Sequence, residues 1–470
     1  MSASRAAGAE TSPAAVLAGL APEQVYVWGL RQETIGMATS AGEGQVNFAE
    51  FQDRPLLRPG ELVEVVPGLA VTQHSGTGKA NQYFLRGFNL DHGTDFALRI
   101  DDFPVNFRTH GHGQGYLDVG GLIPETVERV NYRKGPYRAD DGDFGLVGSA
   151  RITTTDKIAP FLTAEYGGYG YRRLVAGGSF PLAKGDLLLV AQVKRNDGPW
   201  ALPEKLRNYG GLAKYSADST IGRVRASLNI YSARWQPTEQ IPKRAIGTLL
   251  KDAYDTLDPT LRGRTERQIL TLSVDGQDNW RANVWAQHYD WSLFSNFTFF
   301  LDDPVNGDQL RQYESMWGYG GRIENDLKLT PVLYLSIGAE GRADDIGQVG
   351  LDHGRAGKVD FTRSRFAVNE TSGALYAEAE WKPVEGLMVV GGIRGDFYRF
   401  RTRALAGGAW SGLVKDSIFS PRIGLNYRLA DGLAIYANYG QGFHSNDARG
   451  VTAPADPAPG LVKGNFRELG

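Results

Sequence analysis

From about Phe161 onward, apolar and polar residues alternate along long segments of the chain. Residues 223–230 read RVRASLNI, and residues 375–381 (LYAEAEW) and 387–398 follow a similar pattern. Because successive side chains of a β-strand point to opposite sides, each segment predicts a strand with one apolar and one polar face. The 60 glycines and the aromatic content of 11% are also typical of a turn-rich β protein.

The connections between these strands differ in length in a regular way. Short turns are expected at residues 217–219, 329–331, 382–386 and 430–432. They alternate along the chain with long loops, expected at residues 232–266, 292–313, 344–370 and 401–415. Transmembrane β-barrels have this asymmetry, with aromatic girdles at both interfaces. Aromatic residues near the strand ends fit such girdles: Trp291, Trp317, Tyr398 and Phe400. The alternative is a soluble β protein that uses these rings in its core.

About thirteen strands are expected between Phe161 and Phe443, and the Pro- and Gly-rich residues 446–470 are expected to form a loop. No apolar run approaches the roughly 20 residues of a membrane-spanning helix, so any membrane passage would use strands. Lipid favours closed barrels because every backbone N–H and C=O must be paired. An odd number of strands followed by a loop would leave two sheet edges open.

Charge and cysteine content exclude several classes of function. The 51 Lys and Arg residues are interspersed among 53 Asp and Glu residues, so no basic face indicates nucleic-acid binding. The absence of cysteine excludes disulfides, thiolate zinc sites and thiol catalysis. No Ser/His/Asp set or isolated carboxylate pair stands out, and we expect neither an enzyme nor a bound cofactor.

The first third of the chain lacks the long alternation and predicts a compact α+β unit. Helices are expected at residues 59–66 and from Pro124, and strands at residues 83–86, 96–100 and 130–134. The predicted organisation has four parts: a leader or disordered tail (1–23), a linker segment (24–45), an α+β domain (46–155) and a partial barrel (156–470).

Five motifs of this domain resemble those of TonB-dependent outer-membrane receptors of the siderophore-receptor type. They follow the family's order: RPGELVEVVPGL (58–69), YFLRGF (83–88), IDDFPV (100–105), VERVNYRKGP (127–136) and GSARI (148–152). Residues 436–445 (YANYGQGFHS) also resemble a strand and loop of that family's barrel. The resemblance implies a mixed fold, a small α+β plug inside an antiparallel transmembrane β-barrel. Since the family barrel has 22 strands, it also implies that this chain is truncated at its C-terminus.

The resemblance implies a function and partners as well. Receptors of this family take up a scarce small molecule, most often a ferric siderophore, across the outer membrane of Gram-negative bacteria. Energy reaches them from an inner-membrane complex through the C-terminal domain of TonB, and outer-membrane lipid surrounds the barrel. A free or weakly chelated transition metal such as zinc or copper is the second substrate class, and cobalamin and glycans stay open. The remaining alternatives are an inactive receptor fragment and a surface protein that binds without transport.

The position of the family's TonB box corresponds to Gln24, Val25, Tyr26, Val27 and Trp28. An extended segment of this kind can add as a strand to the edge of a partner's sheet, with main-chain hydrogen bonds providing the affinity. Without the resemblance, the same residues are typical of a flexible N-terminal tail.

Docking of the plug is expected to use charged pairs. The resemblance places Arg86 and Lys134 against acidic residues of the barrel wall, and the alternation makes Glu378 and Glu380 candidates to face the lumen. Such pairs would hold the plug reversibly, because polar contacts in a wet lumen are individually worth only about 0–1 kcal/mol.

Histidines occur in glycine-rich loops that are expected at the plug apex. His110 and His112 form a half-site for zinc, copper, nickel or iron, which His74, His92 or Asp118 would complete. The alternative is a pair of solvated histidines in a loop packed against the barrel. The full set expected to contact substrate is His74, Lys79, Tyr83, Phe107, Arg108, His110, His112 and Tyr116.

Overall fold

The computed structural model describes residues 40–54, 56–73, 77–296, 298, 301, 303, 305 and 307–470. The N-terminal domain contains eight short strands: β1 (Glu43–Asn47), β2 (Leu69–Thr72), β3 (Gln82–Leu85), β4 (Phe88–Asn89), β5 (Phe96–Ile100), β6 (Phe103–Pro104), β7 (Val127–Arg133) and β8 (Gly148–Thr154). Its helical turns are of the 3₁₀ type: Phe48–Glu50, Pro59–Val65 and Pro124–Thr126. The expected helices therefore begin at Pro59 and Pro124, although both are tighter and shorter than α-helices.

Two small sheets make up this domain. One has the order β1-β7-β8-β5-β6, with β5 and β8 parallel, and the other has the order β2-β3-β4. Leu62 of the Pro59–Val65 helix packs in one core with Tyr83, Phe96, Val130 and Ile152 of the strands. The helix begins at proline, which suits a first helical turn because its missing N–H would have no partner there.

The rest of the chain forms one antiparallel sheet of 14 strands in which each strand pairs with its sequence neighbours. The strands are β9 (Phe161–Tyr166), β10 (Arg172–Leu182), β11 (Gly185–Asn196), β12 (Leu206–Ser219), β13 (Gly222–Trp235), β14 (Arg262–Gly276), β15 (Trp280–Ser295), β16 (Gln309–Thr330), β17 (Leu333–Arg355), β18 (Lys358–Trp381), β19 (Leu387–Gly407), β20 (Gly412–Ala430), β21 (Leu433–Ser445) and β22 (Leu461–Leu469). A 3₁₀ turn, Lys243–Ala245, and a short helix, α1 (Ala448–Val451), lie in the connections. Among the described residues, no pairing joins β9 to β22.

The expected strand number is confirmed for residues 161–445, where β9 to β21 are thirteen strands. The prediction that residues 446–470 form a loop was wrong, because this segment contains α1 and β22. Strand β22 pairs with β21 from Leu461↔Ser445 to Leu469↔Ala437. Its residues alternate in exposure, but the prolines and glycines before it dominated the composition of the segment.

Two of the expected long loops are largely strand. Strands β17 and β18 continue as a hairpin to a turn at Ala356 and Gly357, which both have positive φ, so residues 344–370 are not a loop. Strands β19 and β20 likewise reduce the expected loop 401–415 to residues 408–411. The alternation fades in these extensions because polar residues occupy both faces, although the backbone pairing continues.

The two faces of the long sheet differ in polarity as the alternation predicted. The outward face exposes large apolar residues, among them Leu228, Leu270, Val284, Ile323 and Ile337, each more than 40% exposed. The inward face carries buried polar residues such as Lys214, Ser227, Thr271, Asn283 and Arg322. An apolar exterior around a polar interior is the arrangement of a transmembrane β-barrel. No helix in the described residues has the length and hydropathy needed to cross a membrane.

The N-terminal domain lies within the curve of this sheet. Polar contacts join it to inward faces around the wall: β10 (Arg173–Glu125), β12 (Asn208–Gly120), β14 (Arg267–Asp118), β16 (Glu314–Gly111), β17 (Glu340–Arg99), β18 (Glu378–Arg138), β20 (Arg422–Arg138), β21 (His444–Asp95) and β22 (Glu468–Arg86). A domain held from so many strands is enclosed by the sheet, as a plug in a barrel would be.

Candidate functional site: the enclosed domain and the barrel wall

A buried ionic cluster links β7 and β8 of the enclosed domain to the segment that carries Asp140 and Asp141. Asp140 accepts hydrogen bonds from Arg133 of β7 (Nη1–Oδ1 2.6 Å) and is paired with Arg151 of β8 (Nη2–Oδ2 2.7 Å). Asp141 also pairs with Arg133, at 3.1 Å. Burial alone would raise the pKa of Asp140, but Arg133, Arg151 and Arg322 of the wall together hold this pKa well below its ordinary value. Asp140 is therefore ionised at neutral pH.

Close strand packing brings these side chains together. Strands β7 and β8 pair directly, with Arg133 opposite Ser149 and Asn131 opposite Arg151. At the start of β8, a Cβ added to Gly148 would lie 2.9 Å from the carbonyl oxygen of Arg133. Only glycine permits this approach, and the residue begins the last of the family-like motifs.

The wall reaches the same segment from two strands. Glu378 of β18 accepts from Arg138 Nη1 at 2.9 Å and from the backbone N–H of Ala139 at 2.7 Å. Arg422 of β20 donates to the carbonyl oxygens of Arg138 and Asp141. The cation opposite Glu378 is thus Arg138, which the sequence reasoning missed although it lies only two residues after the motif at 127–136.

The docking pair expected for Arg86 is present in the structure, whereas the pair expected for Lys134 is corrected. Arg86 donates to Glu468 of β22 at 2.7 Å and to the carbonyl oxygen of Lys134 at 3.1 Å. The Lys134 ammonium lies over the ring of Tyr132, 5.9 Å from its centre. Glu380 is buried on the inward face but pairs with Lys382 of the wall itself, at 2.9 Å. Alternation identified the inward face, whereas it held no information on which cation would meet each carboxylate.

The loop 106–116 lies against the wall at the end of the barrel that carries the long loops. Phe107, Arg108, His110 and Tyr116 are each at most 4% exposed. The rings of His110 and Tyr116 stack at 4.0 Å with 9° between their planes. The backbone N–H of Gly111 donates to Glu314 Oε2 of β16 at 2.8 Å, so an acidic wall residue holds the turn of the loop.

Two other residues expected to contact substrate lie elsewhere. Tyr83 is fully buried in the core of the enclosed domain, where its ring faces Phe96 at 6.4 Å, so its expected apex position was wrong. Tyr83 and Leu85 alternate with Gln82 and Phe84 along β3, and both point into this core. Lys79 is 9% exposed and lines a recess with Asn208 and Tyr231 of the wall. His74 and residues 24–28 lie outside the described residues.

The histidines make contacts that a metal ion would have to replace. His110 Nε2 lies 3.4 Å from the Tyr289 hydroxyl, and His112 Nδ1 lies 3.0 Å from Gln312 Oε1. His92 Nδ1 is 2.9 Å from the carbonyl oxygen of Ala80. In the part of the chain that the structure describes, no group of three or more His, Cys, Asp or Glu side chains is arranged to hold a metal.

The last proposed ligand, Asp118, is engaged as well. Its carboxylate accepts from the backbone N–H of Gly120 at 2.9 Å and from the Thr265 hydroxyl at 3.2 Å. Burial raises the pKa of Asp118, while Arg267 and these hydrogen bonds oppose the rise. Asp118 therefore joins the enclosed domain to β14 in this structure.

The burial of His112 predicts a dependence of stability on pH. Burial, together with nearby Lys79, lowers the pKa of His112 from its ordinary 6.5 to about 3. Between pH 6.5 and 3 the unfolded chain binds a proton that the folded chain does not, so the free energy of unfolding falls as pH falls through this window. We expect His112→Gln to reduce that loss, measured by denaturant unfolding at several pH values. An equal acid sensitivity of the variant and the parent would contradict this role for His112.

A segment between β21 and β22 covers the loop 106–116. The backbone N–H of Ala448 donates to the Thr109 hydroxyl at 2.9 Å, and Arg449 Nη2 donates to the carbonyl oxygen of His110 at 2.7 Å. This cover was missed because residues 446–470 were interpreted as a featureless loop. The apex in this structure is therefore closed by polar contacts that water or a ligand could replace.

Comparisons with known proteins agree with this geometry. A family model for the TonB-dependent receptor plug domain matches residues 36–149, and one for the TonB-dependent receptor-like β-barrel matches residues 205–465. The second match alone covers more than half of the chain.

Individual relatives are more distant. The vitamin B12 transporter BtuB of Vibrio vulnificus (strain CMCP6) is 28% identical over 123 residues, which are 26% of this chain and 18% of that protein. The unliganded ferric citrate transporter FecA has a similar fold, with a TM-score of 0.70, 14% identity and coverage of 86% of this chain and 63% of its own. The copper transporter OprC gives a TM-score of 0.70 with 13% identity, covering 92% and 69%. The chain thus spans less than two thirds of BtuB and of FecA.

Proposed function

This chain belongs to the TonB-dependent receptors, an outer-membrane family of Gram-negative bacteria, and we propose that it takes up a scarce small molecule, most directly a ferric siderophore. Members of this family are receptors and transporters and not enzymes. Uptake would proceed by energy-driven movement of the enclosed domain, hereafter the plug, without covalent chemistry.

The observation that carries the proposal is the chemistry of the plug–wall interface. Arg138, Glu378 and Arg422 meet through charged hydrogen bonds, as do Arg99, Glu340 and Arg394 at the next strands. Water can replace such contacts one by one when the plug moves, because each donor and acceptor finds a new partner in solvent. An apolar interface of the same size would resist separation, since its surface has no favourable contact with water.

The apex supplies chemistry suited to an anionic chelate. The loop 106–116 presents Arg108 and aromatic rings beneath the covering segment at α1, and Arg108 already donates to Ser372 Oγ at 2.6 Å. A ligand that replaces the cover would meet a guanidinium group, which binds carboxylate and hydroxamate-like oxygens in a forked geometry. The fold likeness to a ferric citrate transporter supports the same substrate class.

A transition metal is the second candidate substrate. Three imidazoles lie close together at the apex. The rings of His92 and His112 are 4.8 Å apart, and both contact the ring of Tyr116, on which His110 stacks. A rearranged apex would offer neutral nitrogen ligands for copper or zinc. The fold is also similar to that of a copper transporter.

Energy transfer would use residues 24–28, with TonB as partner. In the proposed mode this segment adds as a strand to the TonB C-terminal domain, so its backbone N–H groups are needed. Val25→Pro removes one donor and fixes φ, whereas Val25→Ile keeps both the donor and the β-branched side chain.

The test measures uptake and binding separately in a Gram-negative strain that lacks its own siderophore receptors. Cells that produce the full chain should accumulate radioactive iron from a ferric siderophore. Val25→Pro should reduce this uptake to background with surface binding unchanged, and Val25→Ile should retain it. Uptake that Val25→Pro leaves intact would contradict the TonB contact. Uptake of copper or zinc but not of iron would favour the second substrate class. Binding without uptake would favour a surface receptor. The absence of both binding and uptake would indicate an inactive fragment.

A further inference from the structure

Five arginines stand opposite one another on successive strands of the barrel sheet. The pairs Arg172↔Arg195, Arg195↔Arg207, Arg207↔Arg234 and Arg234↔Arg264 run from β10 to β14 without interruption. Directly opposed residues of antiparallel strands project from the same face, so the five side chains form one row. All five are exposed.

This row lies on the outward face, where the apolar surface ends. Two residues along the strands, the same face exposes Leu174, Val193 and Tyr209, each at least 40% exposed. Arg172 is the first residue of β10, and Arg234 is the last but one of β13. The arginines therefore border the apolar face at the end of the barrel that carries the long loops, which is the outer end in this family's topology.

Part of the row lines a recess of about 740 Å³. The recess lies between β12–β16 and the tip of the β17–β18 hairpin, which Arg262 reaches by donating to the carbonyl oxygen of Gly357. The ring of Phe294 lies beneath, with the Arg262 guanidinium 4.5 Å from its centre. Seven of the lining residues are basic and none is acidic: Lys205, Arg207, Arg234, Arg262, Arg264, Arg311 and Lys358.

Carboxylates nearby balance only part of this charge. Arg264 pairs with Asp290 at 2.7 Å and Arg311 with Asp352 at 3.3 Å, while Arg234 lies 3.8 Å from the half-buried Glu266. Within the described residues, Lys205, Arg207 and Lys358 have no carboxylate within ion-pair distance. Like charges directly opposite each other destabilise a sheet, so the excess of cations predicts an anion that the described residues do not provide.

We propose that this basic recess binds the phosphate groups of an outer-leaflet lipid whose acyl chains lie on the adjoining apolar face. Guanidinium forks match phosphate oxygens in pairs, which makes several convergent arginines a better phosphate site than dispersed lysines. Tyr209 of β12 and Ile230 of β13, two and four residues along from Arg207 and Arg234 on the same face, supply a surface for the hydrocarbon. That adjacency favours an amphiphile over a soluble anion, which would leave the apolar side of the site unused.

The test uses the full chain in non-ionic detergent and lipid A, a diphosphorylated glycolipid, as the probe. Binding is measured by titration calorimetry and by native mass spectrometry. The triple variant R207A/R234A/R264A should bind lipid A at least about tenfold more weakly, since it loses three guanidinium groups that would donate charged hydrogen bonds to phosphate. The matched control is R399A/R401A/R403A, which removes three exposed arginines from β19 outside the recess. It should bind as the parent does.

Each outcome decides a separate part of the proposal. An equal loss in the β19 control would overturn the site in favour of a general effect of charge. Equal binding of the dephosphorylated glycolipid would overturn phosphate recognition, and pyrophosphate binding as tight as lipid A would overturn the lipid in favour of a soluble anion. R207K/R234K/R264K keeps the charge and the fold but loses the paired hydrogen bonds that a guanidinium group donates to phosphate, so it should bind with intermediate affinity. Heat-modifiable gel migration verifies that every variant is folded.

Discussion

Asp140→Ala is expected to lower the free energy of unfolding by about 3 kcal/mol, the lower end of the range of about 3–5 kcal/mol for removing one partner of a buried ion pair. Arg133 and Arg151 both bond to this carboxylate, and all three residues are less than 10% exposed. The lower end applies because Asp141 remains as a second partner, 3.1 Å from Arg133 and 3.5 Å from Arg151. Denaturant unfolding of the detergent-solubilised chain, followed by tryptophan fluorescence, measures the change.

The matched control is Asp186→Ala in the barrel. Its partner Lys157, 3.0 Å away, is 67% exposed, so removal of this pair should cost no more than about 1 kcal/mol. Hydrogen exchange then separates a loosened plug from a loosened barrel, since Asp140→Ala should increase exchange in β7 and β8 while the strands of the long sheet stay protected. Equal small losses from both substitutions would contradict a central role for the buried cluster.

The parts of the fold that could be predicted are those in which residues next to each other in the sequence have different environments in the structure. Thirteen strands could be predicted from the alternation because each strand has one face toward lipid and one toward the polar interior, which gives the sequence a period of two residues. The alternation weakens where a strand extends beyond the membrane and both of its faces are polar. The outer hairpin of β17 and β18 has polar residues on both faces, and β22 follows a run rich in proline, so neither was expected.

For the candidate site too, the sequence identified some residues and missed others. Alternation identified Glu378 as inward-facing, and the family resemblance led us to expect the loop 106–116 at the apex of the plug. They did not identify Arg138 as the partner of Glu378, because a contact across 240 residues depends on how the plug is turned inside the barrel. The arginine row was invisible for a related reason, since five residues from Arg172 to Arg264 become neighbours only through the register of four strand pairs.

A reversible crosslink between plug and wall should abolish the proposed uptake. A Cβ added at Gly392 of β19 would lie 3.0 Å from the Cβ of Ala139 in the plug, so a shift of roughly half an ångström would reach the usual separation of about 3.5–4.5 Å in a disulfide. The chain has no cysteine, and the double substitution A139C/G392C therefore introduces the only thiols. Oxidised, this variant should bind ferric siderophore at the cell surface but accumulate none, and reductant should restore accumulation.

The controls separate plug movement from the presence of a disulfide. Each single substitution should transport with or without oxidant. G450C/A458C forms a disulfide inside the covering segment, where the corresponding Cβ atoms are 3.6 Å apart, and it joins no part of the plug to the wall. Because Ala139 also donates its backbone N–H to Glu378, a plug that carries this segment away from β18 and β19 must break both contacts together. Normal accumulation by the oxidised A139C/G392C variant would therefore show that residues 138–141 stay against the wall during transport, and that the substrate passes where other plug segments separate.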